Sequence, residues 1–160
     1  MTAIDDVLAR RPAASPPVAD SPVPALHIAL LTCMDTRINP YHAFGLRPGD
    51  VHLLRNAGGV VTDDVLRSLA ISQYKLQTRE VIVMQHTTCG MTTVTEDGFK
   101  DELEAATGLR PTWSVEAFRN VEDSVRQSVQ RVRRSPFVAH SDAVRGFVYD
   151  VATGGITEVD

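Results

Sequence analysis

Two short segments hold the residue types that do chemistry. Cys33-Met34-Asp35-Thr36-Arg37 sets a thiol, a carboxylate and a guanidinium at alternate positions. His86-Thr87-Thr88-Cys89-Gly90 sets an imidazole and a thiol three residues apart. Cys33 and Cys89 are the chain's two cysteines. Two thiolates and one imidazole are a donor set suited to zinc, and three protein ligands leave the fourth tetrahedral position open, as a catalytic site requires. His-x-x-Cys lets one loop supply two ligands while the third comes from a distant strand. Taken without their context, the same cysteines also fit two buried free thiols or a dithiol poised for disulfide chemistry, and composition does not choose among the three. Asp35 and Arg37 read plainly as an ion pair at a strand end; beside a metal ligand the same pair can hold and orient a reacting group.

The elements that must position these segments follow from the apolar pattern. His27 to Thr32, Val51 to Arg55 and Glu80 to Gln85 are short apolar runs that suit buried parallel strands. Val144 to Val151 is a fourth, and Ile156 to Val159 returns after the Thr153-Gly154-Gly155 turn as an antiparallel edge. Thr62 caps a helix running to about Gln77, with Asp63 and Asp64 in its first turn. Glu96 to Thr107 forms another, stopped by Gly108. Ser114 is the expected cap of a last helix that ends at Arg134, ahead of Pro136. Strands separated by helices predict an α/β fold: an open, mostly parallel sheet of about four parallel strands plus an antiparallel edge, with helices on both faces. Cys33 and His86 then lie at the carboxyl ends of the first and third strands, where such sheets bind ligands if strand order reverses there.

Residues 1–25 read as a short helix, about 2–10, and an arm with five prolines over residues 12–25; residues 26–160 read as the catalytic domain. Apolar residues make up 43% and charged residues 22%, with a formal net charge of −4, which disfavours nucleic acid and anionic membrane surfaces as partners. No apolar run approaches the roughly 20 residues of a membrane span. No signal-peptide pattern opens the chain, so the expected compartment is the cytoplasm, where thiols stay reduced.

With both motifs in place, the sequence resembles the β-class carbonic anhydrases, which carry Cys-x-Asp-x-Arg after the first strand and His-x-x-Cys after the third. Arg55-Asn56-Ala57-Gly58 is similar to the family's second-strand ending. The similarity runs from about residue 27 to 152. RNAGGVVTDDVLRSLAIS and RGFVYDVATG resemble a short actinobacterial-type branch. Gln85 and Met91 stand where many members have glycine, which alters what surrounds the ligands but not the ligands themselves.

The resemblance implies one zinc per chain on Cys33, His86 and Cys89, and reversible hydration of carbon dioxide to bicarbonate and a proton. Two thiolates neutralise the ion, so such a centre acidifies water less than a tris-histidine centre and needs help to hold hydroxide. Asp35 is expected to orient a zinc-bound hydroxide, with Arg37 keeping Asp35 ionised and in place. The resemblance also admits a closed state in which Asp35 takes the fourth zinc position, favoured at lower pH, so that activity rises through an alkaline transition. Asn56, Ala57, Gly58 and Gly90 are candidate pocket residues. Met34, Thr87, Thr88 and Met91 sit beside the ligands and could shape access, with packing the simpler reading, and Trp113 reads as a packing or interface residue. Tyr41, His42 and His52 are possible proton shuttles, more simply read as core or surface. The family implies a homodimer or a multiple of dimers. Two other functions fit the same residues: a zinc hydrolase of carbonyl sulfide or carbon disulfide, and a non-enzymatic zinc or redox protein.

Overall fold

The computed structural model describes residues 2–12 and 20–160. Half of the proline-rich arm, residues 13–19, lies outside the described residues. The elements in chain order are α1 (Ala3–Arg10), β1 (Ile28–Cys33), α2 (Pro40–Phe44), β2 (Val51–Asn56), α3 (Asp63–Leu76), β3 (Glu80–His86), α4 (Glu96–Thr107), α5 (Val121–Arg134), β4 (Val144–Tyr149) and β5 (Ile156–Val159). Single 3-10 turns at Ala57–Gly59 and Gly90–Thr92 follow β2 and β3.

The five strands form one sheet in the order β2-β1-β3-β4-β5. All neighbours are parallel except β4 and β5. From β1 the chain steps outward to β2, then returns past β1 to β3. Strand order therefore reverses between β1 and β3, which places the crevice at their carboxyl ends. β1 and β3 are central and covered on both faces, so they read as continuous apolar runs rather than alternating ones.

One face packs Ala29, Leu31, Val81 and Val83 against Val65 and Leu69 of α3 and Val125, Val129 and Val132 of α5. The other packs Leu30, Met84 and Val51 against Ile38, with Phe44 of α2, Met91 and Phe118 around them. Among the described residues no helix is long and apolar enough to cross a membrane.

Two helical expectations need correction. The last helix starts at Val121, not after Ser114. Asn120 is its cap, accepting from the Asp123 N–H at 3.0 Å, and Glu122 and Asp123 occupy its first turn. Residues 109–120 are irregular, because Glu116 takes a left-handed conformation (φ 60°) and bonds Arg131 at 2.8 Å. α2 has no counterpart in the apolar pattern: five residues, with Pro40 at the first position and an Asn39 cap, are too short to show a helical period.

α1 carries a reciprocal capping box between Thr2 and Asp5 and buries none of its residues. Ile4, Val7 and Leu8, at helical spacing, are 71%, 65% and 57% exposed.

Candidate metal centre

Cys33 ends β1 and His86 ends β3, and Cys89 follows three residues later in the loop. Their ligand atoms all lie within 4.8 Å of one another, and all three residues are buried. A tetrahedral zinc with sulfur bonds of ~2.3 Å and nitrogen bonds of ~2.0 Å needs ligand atoms roughly 3.5–3.8 Å apart, compatible with that span.

His86 supplies an independent test of the fit. Its Nδ1 lies 3.0 Å from the Thr87 carbonyl, which only accepts, so Nδ1 carries the proton. Nε2 is left with its lone pair, buried and without a hydrogen-bond partner. An orphaned buried imidazole nitrogen facing two thiols is a metal-ligand arrangement, with the backbone carbonyl holding the ring's tautomer.

The thiols behave as a pair. Cys33 is drawn down, chiefly because the Cys89 thiol donates to it; the backbone N–H groups of Asp35 and Gly58 act the same way against burial. Cys89 is pushed up by that same contact with Cys33 and by burial, while the Met91 N–H opposes the shift. The same contact moves the two thiols in opposite directions. Cys33 and Cys89 would hold a divalent cation as thiolates, giving up their protons on binding.

Asp35 sits at the edge of the trio. Its Oδ2 is 3.8 Å from His86 Nε2, and it does not join the mutually close group. Arg37 holds both oxygens in a fork, Nε donating to Oδ1 at 2.9 Å and Nη2 to Oδ2 at 2.7 Å, and the Arg37 backbone N–H also donates to Oδ1 at 2.9 Å. These donors hold the Asp35 carboxyl well below the usual carboxylate range.

Arg55, so far only the first residue of the second-strand motif, supports the centre directly. Its Nε donates to the Cys33 carbonyl at 2.9 Å and its Nη2 to the Asp35 carbonyl at 2.7 Å, fastening the Cys33–Asp35 turn to β2. Gly59 has φ 63°, and a Cβ there would stand 2.8 Å from the Cys33 nitrogen and 2.9 Å from the Thr32 carbonyl carbon, so only glycine allows the 3-10 turn to lie against β1.

The pocket candidates separate. Gly58 directs its N–H at the Cys33 sulfur, and its α-carbon faces Met91 and Phe118. Asn56 and Ala57, with Arg55, Trp113 and Glu116, line a cavity of about 510 Å³ whose walls include none of Cys33, Asp35, His86 and Cys89. The Asn56 amide closes on the Val60 backbone in both directions, at 2.8 and 3.0 Å. Gly90 is exposed, with open space where a Cβ would stand, and the N–H that reaches the Cys89 sulfur belongs to Met91.

Packing was the wrong expectation for Met34, which is 63% exposed, and for Thr88, which is exposed and bonds Arg37. The loop after β3 is pinned instead through Thr87, whose hydroxyl donates to Asp150 at 3.3 Å and accepts from the Val151 N–H at 3.2 Å. His52 lies between Ser72 Oγ at 2.7 Å and the Pro22 carbonyl at 2.9 Å, a structural position.

The carbonic anhydrase family model matches residues 28–156. The chain is 52% identical over 136 residues to "Beta-carbonic anhydrase 1" of Mycobacterium tuberculosis, covering 85% of this chain and 83% of that one. It is 31% identical over 148 residues to "Carbon disulfide hydrolase" of Saccharolobus solfataricus, covering 78% and 72%. The crystal structure of carbonic anhydrase from Streptococcus mutans superposes with a TM-score of 0.88 at 36% identity, covering 100% of this chain and 99% of that one. By its strand order, its Cys33–His86–Cys89 group and these matches, the chain belongs to the β-carbonic anhydrase family.

Proposed function

We propose that this chain hydrates carbon dioxide reversibly to bicarbonate and a proton, with Cys33, His86 and Cys89 holding one zinc ion and Asp35 and Arg37 orienting the nucleophile. The observation that carries the proposal is the convergence of two thiols and a partnerless imidazole nitrogen beside a carboxylate fixed by a guanidinium fork. Zinc supplies Lewis acidity when bound and brings the pKa of water toward neutrality. Asp35, ionised, is acceptor-only. A hydroxide next to it therefore turns its single hydrogen toward the carboxylate and presents a lone pair to the carbon of carbon dioxide. Forming that carbon–oxygen bond yields bicarbonate, and the proton that balances the reaction is the one that water gives up to solvent in becoming hydroxide. Arg37 keeps Asp35 in the acceptor-only form and aimed at the site. Gly58, Met91 and Phe118 give an apolar wall suited to an uncharged linear substrate.

The test is metal analysis with stopped-flow carbon dioxide hydration at pH 7 and pH 9. One zinc per chain and a faster rate at pH 9 are expected. Stoichiometric zinc without hydration at either pH would overturn the assignment, and a flat profile from pH 6 to 9 would count against Asp35 closing the site at low pH. The likeness to a carbon disulfide hydrolase gives a second reading on the same residues, since carbon disulfide is also a linear heteroallene. Turnover of carbon disulfide above that of carbon dioxide in the same preparation would favour it.

We take residues 1–25 as an N-terminal arm ahead of the catalytic domain, held to it at Pro22 through His52. An eight-residue helix with its apolar residues exposed is marginal alone in water and needs a surface to pack on. A second copy of the chain supplies it, making the working unit a homodimer or a multiple of dimers. Light scattering should give at least twice the chain mass; an active monomer would sink this. Two free cysteines in the ligand set suit a reducing compartment, and the cytoplasm is the proposed location.

A further inference from the structure

The donors of Arg37 are nearly all committed. Nε and one Nη2 hydrogen serve Asp35, at 2.9 and 2.7 Å. The other Nη2 hydrogen reaches the Thr88 carbonyl at 3.1 Å, and Nη1 reaches Thr88 Oγ1 at 3.2 Å. The two acceptors on Thr88 are presented by an uncommon backbone. Its φ is 53°, in the left-handed region that a β-branched residue adopts only under constraint. The constraint has visible sources on both sides. Thr87 is tied to the end of β4 through Tyr149, Asp150 and Val151, and Cys89 is buried in the centre. Local strain held by its surroundings is characteristic of functional positions.

We propose that Thr88 is a positioning residue for the hydration reaction: it locks the Arg37 fork, and through it the Asp35 carboxylate, to the loop that carries His86 and Cys89. This rests on the reading of Asp35 as the orienting carboxylate. Asp35 and Arg37 are two residues apart and by themselves form a local pair that can turn as a unit. Thr88 Oγ1 and the Thr88 carbonyl fix that pair from across the crevice, 51 residues away in sequence. The lock therefore couples the loop bearing Cys33 to the loop bearing the other two ligands.

Thr88→Val and Thr88→Ser, both zinc-loaded, test this against Asp35→Ala in parallel. Valine keeps the branched shape and removes the Oγ1 acceptor, leaving the carbonyl bond; serine keeps both acceptors. Arg37 is 48% exposed, so the effect belongs at the low end for a bond to a charged group, and Thr88→Val should lower kcat/KM roughly five- to tenfold. Thr88→Ser should stay within about twofold of wild type. Zinc release to excess chelator should be several-fold faster in Thr88→Val and unchanged in Thr88→Ser, a difference that simple loop packing would not produce because valine packs as threonine does. Thr88→Val matching wild type in both measurements, or Thr88→Ser as impaired as Thr88→Val, would overturn the proposal. If Asp35→Ala keeps full activity, the underlying role of Asp35 fails; if it is inactive while Thr88→Val is unimpaired, only the lock fails.

Discussion

Replacing Cys89 by alanine should strip the chain of zinc and of hydration activity while leaving it folded. Cys89 is 2% exposed, and among the described residues its sulfur is one of three ligand atoms that meet at the centre. Its removal leaves one sulfur and one imidazole, fewer than zinc sites of either kind use. It also deprives Cys33 of the thiol that is the chief cause of its lowered pKa, and burial then favours the protonated Cys33, which is no ligand. The two effects reinforce each other, so the loss should exceed the roughly 10–100-fold typical of substitutions that only support a ligand. The sheet should survive, because the side chain lost is small and the core against α3 and α5 does not include it. Zinc content by metal analysis, hydration by stopped flow and the far-ultraviolet circular dichroism spectrum separate these expectations. A folded Cys89→Ala chain that still binds stoichiometric zinc through dialysis would show that the trio is not the metal site.

How much of this could be read from the sequence depends on the range of the interaction. β1 and β3 are legible because both their faces are buried, and Cys33 and His86 stand out because a thiol and an imidazole close those apolar runs. Their convergence follows from topology, since β1 and β3 are neighbours at the reversal of strand order. The start of α5 is misleading for a local reason: Ser114-Val115-Glu116 imitates a capped first turn, while Glu116 reaches instead for Arg131 and Asn120 caps the helix. Arg55 and Thr88 are invisible for the opposite reason. Their partners, the carbonyls of Cys33 and Asp35 and the guanidinium of Arg37, lie 20 to 51 residues away, and no local pattern encodes a side chain bonding a distant backbone. What is missed is therefore the support around the ligands rather than the ligands.

Asp35→Ala should keep one zinc per chain and lose most of the hydration rate. The carboxylate stands outside the mutually close trio, so its removal subtracts no ligand in the conformation described. Its loss removes the acceptor that turns the nucleophile, for which a decrease of about 10²–10³ is the scale set by single preorganised hydrogen-bonding groups. Arg37→Ala should act in the same direction with a smaller effect, since Asp35 survives but loses its fork. The pH dependence separates this role from titration of Asp35 itself. Arg37 lowers the folded-state value below the ordinary ~3.9 of an aspartate. The pairing therefore stabilises the fold above that ordinary value and is lost only as pH falls through the lowered one. Asp35 is thus ionised throughout pH 6–9, and a rate that climbs across that range reports the competition for the fourth metal position or the supply of hydroxide, not protonation of the carboxylate. Asp35→Asn sharpens the point: the amide matches the shape, cannot compete as an anionic ligand, and offers a donor where an acceptor is needed. It should be as slow as Asp35→Ala at pH 9, where a mere closing ligand would have become dispensable. An Asp35→Asn enzyme with wild-type rate at pH 9 would reduce Asp35 to a gate and remove it from the chemistry.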